Sequence, residues 1–213
     1  MKLGELRENY TQKGLRLIDV DRDPFKQFEK WMTEAQEVDI VEPNAMTLAT
    51  SSGDGIVSSR TVLLKGLHEE TFQFFTNYQS HKARDLAENP QASLTFLWKE
   101  LERQVNIRGT VSKTSREISD EYFHSRPYGS QIGAWVSEKQ SGEVTNREVL
   151  IEREKEFREK FPEGSEVPLP DFWGGYQLEP SYIEFWQGRP SRLHDRICFL
   201  LENGEWKISR LSP

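Results

Sequence analysis

Between Ala45 and Val111 the chain holds five β-rich segments in close succession, and that spacing restricts the fold more than any other feature. Ala45–Thr50 and Ile56–Lys65 flank a Ser-Gly-Asp-Gly turn, and Thr71–Thr76, Ala92–Trp98 and Glu102–Val111 follow. Many strands in succession with a few inserted helices suggest an antiparallel arrangement. Asn203-Gly204 joins two further β-like runs as a tight hairpin. Helices interrupt the series. Asp23-Pro24 reads as an N-cap followed by proline in the first turn, and Phe25, Phe28, Met32 and Ala35 form an apolar stripe suited to a core. Ser80 can cap a helix that ends near Asn89-Pro90. Thr114 with Glu117, and Thr145 with Glu148, have the capping-box spacing and start helices that end before Pro127 and Pro162. In the second of these, Glu152 to Lys160 is a solvated face, with Leu150, Phe157 and Phe161 turned inward. The fold expected is mainly β with inserted helices (α+β), a β-barrel.

At 213 residues the chain is long enough to bury a real core. The polar stretch over residues 1–20 reads as a mobile arm and residues 21–213 as one domain. The lone Cys198 excludes an internal disulfide and sits in an apolar run where a buried thiol is expected. A net charge of −7 argues against broad nucleic-acid binding. No apolar run approaches the ~20 residues of a membrane helix. The charged start Met1-Lys2-Leu3-Gly4-Glu5 is no signal peptide, so a cytoplasmic protein is expected.

Chemistry concentrates near the C-terminus, where Ile183-Glu184-Phe185-Trp186-Gln187-Gly188 is followed by Arg192-Leu193-His194-Asp195-Arg196. On a strand, alternation would put Arg192, His194 and Arg196 on one face, in a row roughly 13 Å long. Neighbouring charges about 7 Å apart would repel by roughly 2 kcal/mol at an effective dielectric near 20. Taken alone, such a row is an ordinary solvated face whose arginines pair with nearby acids. Anions bound against it would account for it better in an already acidic protein.

This C-terminal signature resembles that of the pyridoxine 5′-phosphate oxidases, also called pyridoxamine-phosphate oxidases, flavin enzymes of vitamin B6 metabolism. Several further motifs recur in order from about Arg7 to Pro213. The resemblance implies an FMN-binding split barrel working as a homodimer, with residues 171–213 as the dimerisation region. It also implies a pyridoxal 5′-phosphate synthase, which oxidises pyridoxine 5′-phosphate or pyridoxamine 5′-phosphate with O2 and releases hydrogen peroxide.

Residue by residue, Arg60-Thr61-Val62-Leu63-Leu64-Lys65 matches the family's flavin-binding strand. Val62 and Leu64 would serve equally as core, and alternation puts Arg60 and Lys65 on opposite strand faces. Phe75 and Thr76, then Ser80-His81-Lys82, place hydroxyls and a cation at a helix N-terminus suited to the FMN phosphate. The family has Ser-Arg-Lys there, so His81 is a departure. Gln104, the pair Gln140-Ser141, Trp186 and Arg196 match flavin contacts. Tyr122 and Arg126, one helical turn apart, with Ser130 in a following turn and Lys65, match the set that holds the substrate phosphate. Arg7 and Tyr10 match residues that close over substrate, although Glu8-Asn9 departs from the family's usual Arg-Glu there. Arg192 and His194 match the residues over the reacting end of the substrate and are the expected catalytic pair.

Other chemistries find little support. Gly53-x-Gly55 lies between two β segments and is no dinucleotide fingerprint, and the four histidines lack metal-site spacing, so no metal is expected. Two rivals stand beside the oxidase: a split-barrel flavoprotein acting on another substrate, and a carrier that binds flavin or a B6 phosphate without turnover.

Overall fold

The computed structural model describes residues 10–213. Its first helix, α1 (Pro24–Glu37), begins where the sequence places it: the Asp23 carboxylate accepts from the Phe25 and Lys26 amides, and Pro24 occupies the first turn. Phe25, Phe28 and Ala35 are buried as expected, together with Trp31. The strands are β1 (Ala45–Ser51), β2 (Val57–Leu63), β3 (Gly66–His68), β4 (Thr71–Asn77), β5 (Gln91–Trp98), β6 (Arg103–Lys113), β7 (Trp173–Gln187), β8 (Asp195–Glu202) and β9 (Glu205–Leu211). Between them lie α2 (His81–Glu88), α3 (Arg116–Ser125), α4 (Tyr128–Val136) and α5 (Glu148–Lys160).

All strands pair antiparallel in one sheet, in the order β2-β1-β5-β6-β7-β4-β3, with β8 and β9 branching from β7. The 15 residues of β7 make the branch possible. Its first part, Trp173 to Leu178, pairs with β4, and its second, Tyr182 to Gln187, pairs with β8. Pro180, which has no N–H to donate, sits between the two, opposite the bulge at Arg108/Gly109. Phe72, Phe74, Phe96, Val105, Ile107, Phe185 and Phe199 fill the core under α1. Phe28 lies 5.1 Å from Phe72 and 5.0 Å from Phe96, ring to ring. A second cluster around Phe123, Ile132 and Trp173 joins α3 and α4 to the start of β7, and Leu150, Phe157 and Phe161 pack on it half-buried.

Several local expectations shift. The cap of α3 is Ser115, not Thr114: Ser115 Oγ accepts from the Ile118 amide, while the Thr114 hydroxyl is committed to Ser119 at 3.0 Å. Thr145 does not cap α5; Asn146 Oδ1 takes the Val149 amide instead. Ser130 is not in a turn but in the first turn of α4, where it is exposed. The β8–β9 hairpin turns on Asn203 (φ 53°) and Gly204 (φ 81°), the left-handed pair that a tight two-residue turn needs. Of the arm expected over residues 1–20, the described part lies against the C-terminal strands. The Thr11 and Gln12 amides donate to the Glu102 carboxylate, the Leu15 amide donates to Asp195, and Leu15 and Val20 are buried.

Candidate functional site

β2 ends at Leu63, and the chain then bends so that the Leu64 amide donates to Asn44 O and the Lys65 amide to Gln73 O. The strand-alternation expectation for Arg60 and Lys65 therefore fails: with the strand finished, Lys65 swings round, and both cations line the same cavity. This cavity, of about 360 Å³, is also lined by Thr61, Val62, Leu63, Phe75, Thr76, Lys82, Tyr122, Arg126 and Gln140. Leu64 instead points into the core, at 8% exposure. Thus a bend, two strands, two helices and a loop gather most of the residues expected to hold the flavin or the substrate phosphate.

The electrostatics of the cavity call for an anion. Arg60, Lys65, Lys82 and Arg126 line it, and no carboxylate does among the described residues. The Arg126 guanidinium lies 4.6 Å from the Trp173 ring centroid, and its Nη1 is buried without a hydrogen-bond partner among the described residues. Burial pushes this guanidinium below its usual range. Lys82 Nζ donates to Thr76 Oγ1 at 3.1 Å and Ser80 Oγ at 3.3 Å. Burial, and then the nearby charge of Arg60, pushes the Lys82 ammonium down to about 8. Each of these costs is offset when a phosphate group supplies acceptors and negative charge.

Supporting residues that the sequence reading missed hold the cations in place. Buried Asp85 accepts from Thr50 Oγ1 at 2.6 Å and Ser58 Oγ at 2.9 Å, and both hydroxyl oxygens accept from the Arg60 guanidinium. His81 also faces Asp85, at 3.6 Å, an i,i+4 spacing that was visible in the sequence. Buried Asn77 donates to the carbonyls of Ser137 and Glu138 at 2.7 and 2.8 Å, which ties down the loop carrying Gln140 and Ser141. Thr76 Oγ1 lies 3.3 Å from Gln140 Oε1, and the His81 amide donates to Ser141 Oγ. Trp173 extends an aromatic wall in which Phe75 stacks 4.0 Å from Tyr122. No periodicity marks Asn77 or Trp173 as site residues, because their roles come from contacts between distant segments.

The remaining expected residues lie elsewhere. Gln104, Trp186 and Arg196 are neighbours across β6, β7 and β8 and so share one row on the sheet face opposite the core. Beside that row, His194 sits 4.6 Å from Trp186 and 5.5 Å from Tyr10, ring to ring. Tyr10 reaches this position because Gly188 has no Cβ; one built there would stand 2.7 Å from the Tyr10 ring. The continuous Arg192–His194–Arg196 strand row is not formed. Ser191 and Arg192 adopt φ of 57° and 62°, Pro190 removes a donor, and β8 begins only at Asp195. Arg192 is exposed, His194 Nδ1 accepts the Arg189 amide at 3.1 Å, and Arg196 is paired with Glu184. Arg7 lies outside the described residues.

Fold and site together define a class: a split β-barrel protein with a cationic pocket built for an anionic ligand. Two family profiles match the chain, "pyridoxamine 5′-phosphate oxidase" over residues 32–160 and "pyridoxine 5′-phosphate oxidase C-terminal dimerisation region" over residues 173–213. A pyridoxine/pyridoxamine 5′-phosphate oxidase of Rippkaea orientalis is 54% identical, with 100% of both chains covered. One from Cupriavidus necator is also 54% identical, over 100% of this chain and 99% of its own. Among solved structures, PhzG from Burkholderia lata 383 in complex with tetrahydrophenazine-1-carboxylic acid has a TM-score of 0.88 at 29% identity, covering 95% of this chain and 99% of that one. A pyridoxamine 5′-phosphate oxidase-related, FMN binding protein from Nostoc punctiforme shares the fold, with a TM-score of 0.73 at 13% identity over 91% of this chain and 100% of its own. The chain belongs to the pyridoxamine 5′-phosphate oxidase family and is an oxidoreductase. No helix among the described residues is long and apolar enough to cross a membrane.

Proposed function

We propose that the protein oxidises pyridoxine 5′-phosphate and pyridoxamine 5′-phosphate to pyridoxal 5′-phosphate, with FMN as cofactor and O2 as electron acceptor. Hydrogen peroxide is the second product, and ammonia is released from the amine. The observation that carries this reading is the half-buried Arg126 guanidinium with an unpartnered N–H, set in a cavity lined by three further cations. When bound, FMN supplies the hydride acceptor for the substrate's 4′ carbon and passes the electrons on to O2. The residues of the chain bind and orient. Lys65, Tyr122, Arg126 and Ser130 hold the substrate phosphate. Arg60 and Lys82, with Thr61, Val62, Leu63, Phe75, Thr76, His81, Gln140 and Ser141, hold the cofactor's phosphate end and one side of its ring, while Leu64 packs into the core behind them. Gln104, Trp186 and Arg196 serve the flavin ring, while Arg192 and His194, together with Tyr10 and Arg7, hold the substrate's reacting end.

Among the described residues, the lining of this cavity does not include Gln104, Trp186 or Arg196, which share a row across β6, β7 and β8. A homodimer in which the row of one subunit meets the cavity of its partner brings the two sets together, and the dimerisation-region match over residues 173–213 supports that arrangement. The likeness to PhzG favours a second reading, a flavoprotein acting on a ring carboxylic acid. In that reading a single carboxylate would face the Lys65 and Arg126 cations, which suit a phosphate with its greater charge and additional acceptors better. Anaerobic mixing with pyridoxine 5′-phosphate separates the readings. Bleaching of the flavin absorbance is expected, and no bleaching with this substrate or the amine would overturn the assignment.

A further inference from the structure

Glu184 is 5% exposed, although it lies on the sheet face opposite the core. Its carboxylate accepts Arg196 Nε at 2.8 Å and Nη2 at 2.9 Å, and the Tyr182 hydroxyl donates to it at 2.6 Å. Arg196 Nη1 donates to Ser212 O at 2.9 Å, and the Arg108 guanidinium covers the Tyr182 ring at 3.8 Å. These side chains form one network across β6, β7 and β8, directly beside the Gln104–Trp186–Arg196 row. Burial alone would raise the Glu184 carboxyl, but the hydrogen bonds from Arg196 and Tyr182 outweigh it and hold the group below its usual range. Each terminal nitrogen of Arg196 keeps one N–H without a partner among the described residues.

Net stability does not account for such a pair, since a buried ion pair is often no more stabilising than apolar groups of similar volume. What a two-point fork does provide is a guanidinium fixed in plane and direction, with its charge offset. We propose that Glu184 is a positioning residue for the flavin: it aims the remaining Arg196 N–H groups at the ring and offsets the charge the ring experiences. This inference rests on the assignment of the Gln104–Trp186–Arg196 row to the flavin ring.

The test uses the full-length protein loaded with FMN and measures the FMN dissociation constant, the flavin midpoint potential and the melting temperature. Glu184→Gln keeps the shape and removes the charge. It should weaken FMN binding about tenfold, the equivalent of one charged hydrogen bond. It should also raise the midpoint potential, because adding electrons to the ring adds negative charge, which an unoffset guanidinium favours. Glu184→Asp keeps the charge but cannot span the same fork, so it should weaken FMN binding while leaving the potential near wild type. A purely structural Glu184 would lower the melting temperature without moving the potential. Wild-type FMN affinity in Glu184→Asp, or a wild-type potential in Glu184→Gln, overturns the inference, provided Arg196→Ala does weaken FMN binding. If Arg196→Ala leaves both FMN affinity and potential unchanged, the placement of the flavin at this row falls instead.

Discussion

Replacing Arg126 by alanine isolates the proposed phosphate contact from everything else in the cavity. The guanidinium lies 4.6 Å from the Trp173 ring and 5.7 Å from the Phe123 ring, and its Nη1 is buried with no partner among the described residues. A hydrogen bond to a charged group contributes about 1.5–3 kcal/mol, which at ~1.4 kcal/mol per decade predicts a KM raised roughly 10- to 150-fold. The phosphate is remote from the reacting carbon, so its contact acts equally in the ground and transition states, and kcat should change little. The effect on folding is expected to be small. The variant deletes a buried, unsatisfied donor, a relief of ~1–3 kcal/mol, and forfeits cation–π stacking worth ~0.5–2 kcal/mol. Steady-state kinetics, a thermal melt and the flavin absorbance of the purified variant report the three quantities together. An unchanged KM in a variant holding full FMN would refute the phosphate assignment, and loss of FMN would transfer Arg126 to the cofactor.

Five further outcomes are expected. With its ammonium pushed down to about 8, Lys82 is already charged below that pH and must gain a proton to bind an anion above it. FMN affinity should therefore be full below about pH 8 and fall above it by up to ~tenfold per pH unit, a dependence that Lys82→Met removes. The unfolded chain holds this proton up to about pH 10.4, so the flavin-free protein should gain stability as pH rises between the two values, as a melt across that range will show. Arg192→Ala should lower kcat on the order of a hundredfold with FMN content intact, whereas Arg196→Ala should weaken FMN retention. If Arg192→Ala strips the flavin and turnover returns on adding FMN, the division of roles is wrong. Heat should release FMN, not FAD, as chromatography of the extract will show. Light scattering should give a dimer, and a monomer that holds FMN tightly would count against a site shared between subunits.

Much of the architecture is legible locally. The Asp23-Pro24 start of α1, the ends of α3 and α5 ahead of Pro127 and Pro162, and the Asn203-Gly204 hairpin all follow from groups within a few residues of one another. The caps at Thr114 and Thr145 were misplaced for a reason that sequence spacing does not carry. The Thr114 hydroxyl bonds Ser119, leaving Ser115 to cap, and Asn146 reaches the Val149 amide first. For the site, matched motifs identified most of the cavity lining, but not Asn77, Asp85 or Trp173, whose partners lie far away in sequence.

Two kinds of information separate here. Residue order alone was enough for an antiparallel β protein with inserted helices, since strand periodicity, capping and charge are short-range properties of the chain, while the cations that an anionic ligand would meet were picked out by motifs resembling the family's. Folding in three dimensions was needed to break the Arg192–His194–Arg196 row at two left-handed residues, to bring Lys65 round beside Arg60, and to commit Arg196 to Glu184. It also divided the expected flavin contacts between a cavity and a row on the sheet face opposite the core. Each of these outcomes depends on which distant donor and acceptor meet as the strands pair, a competition settled by non-local contacts and therefore absent from any short window of the sequence.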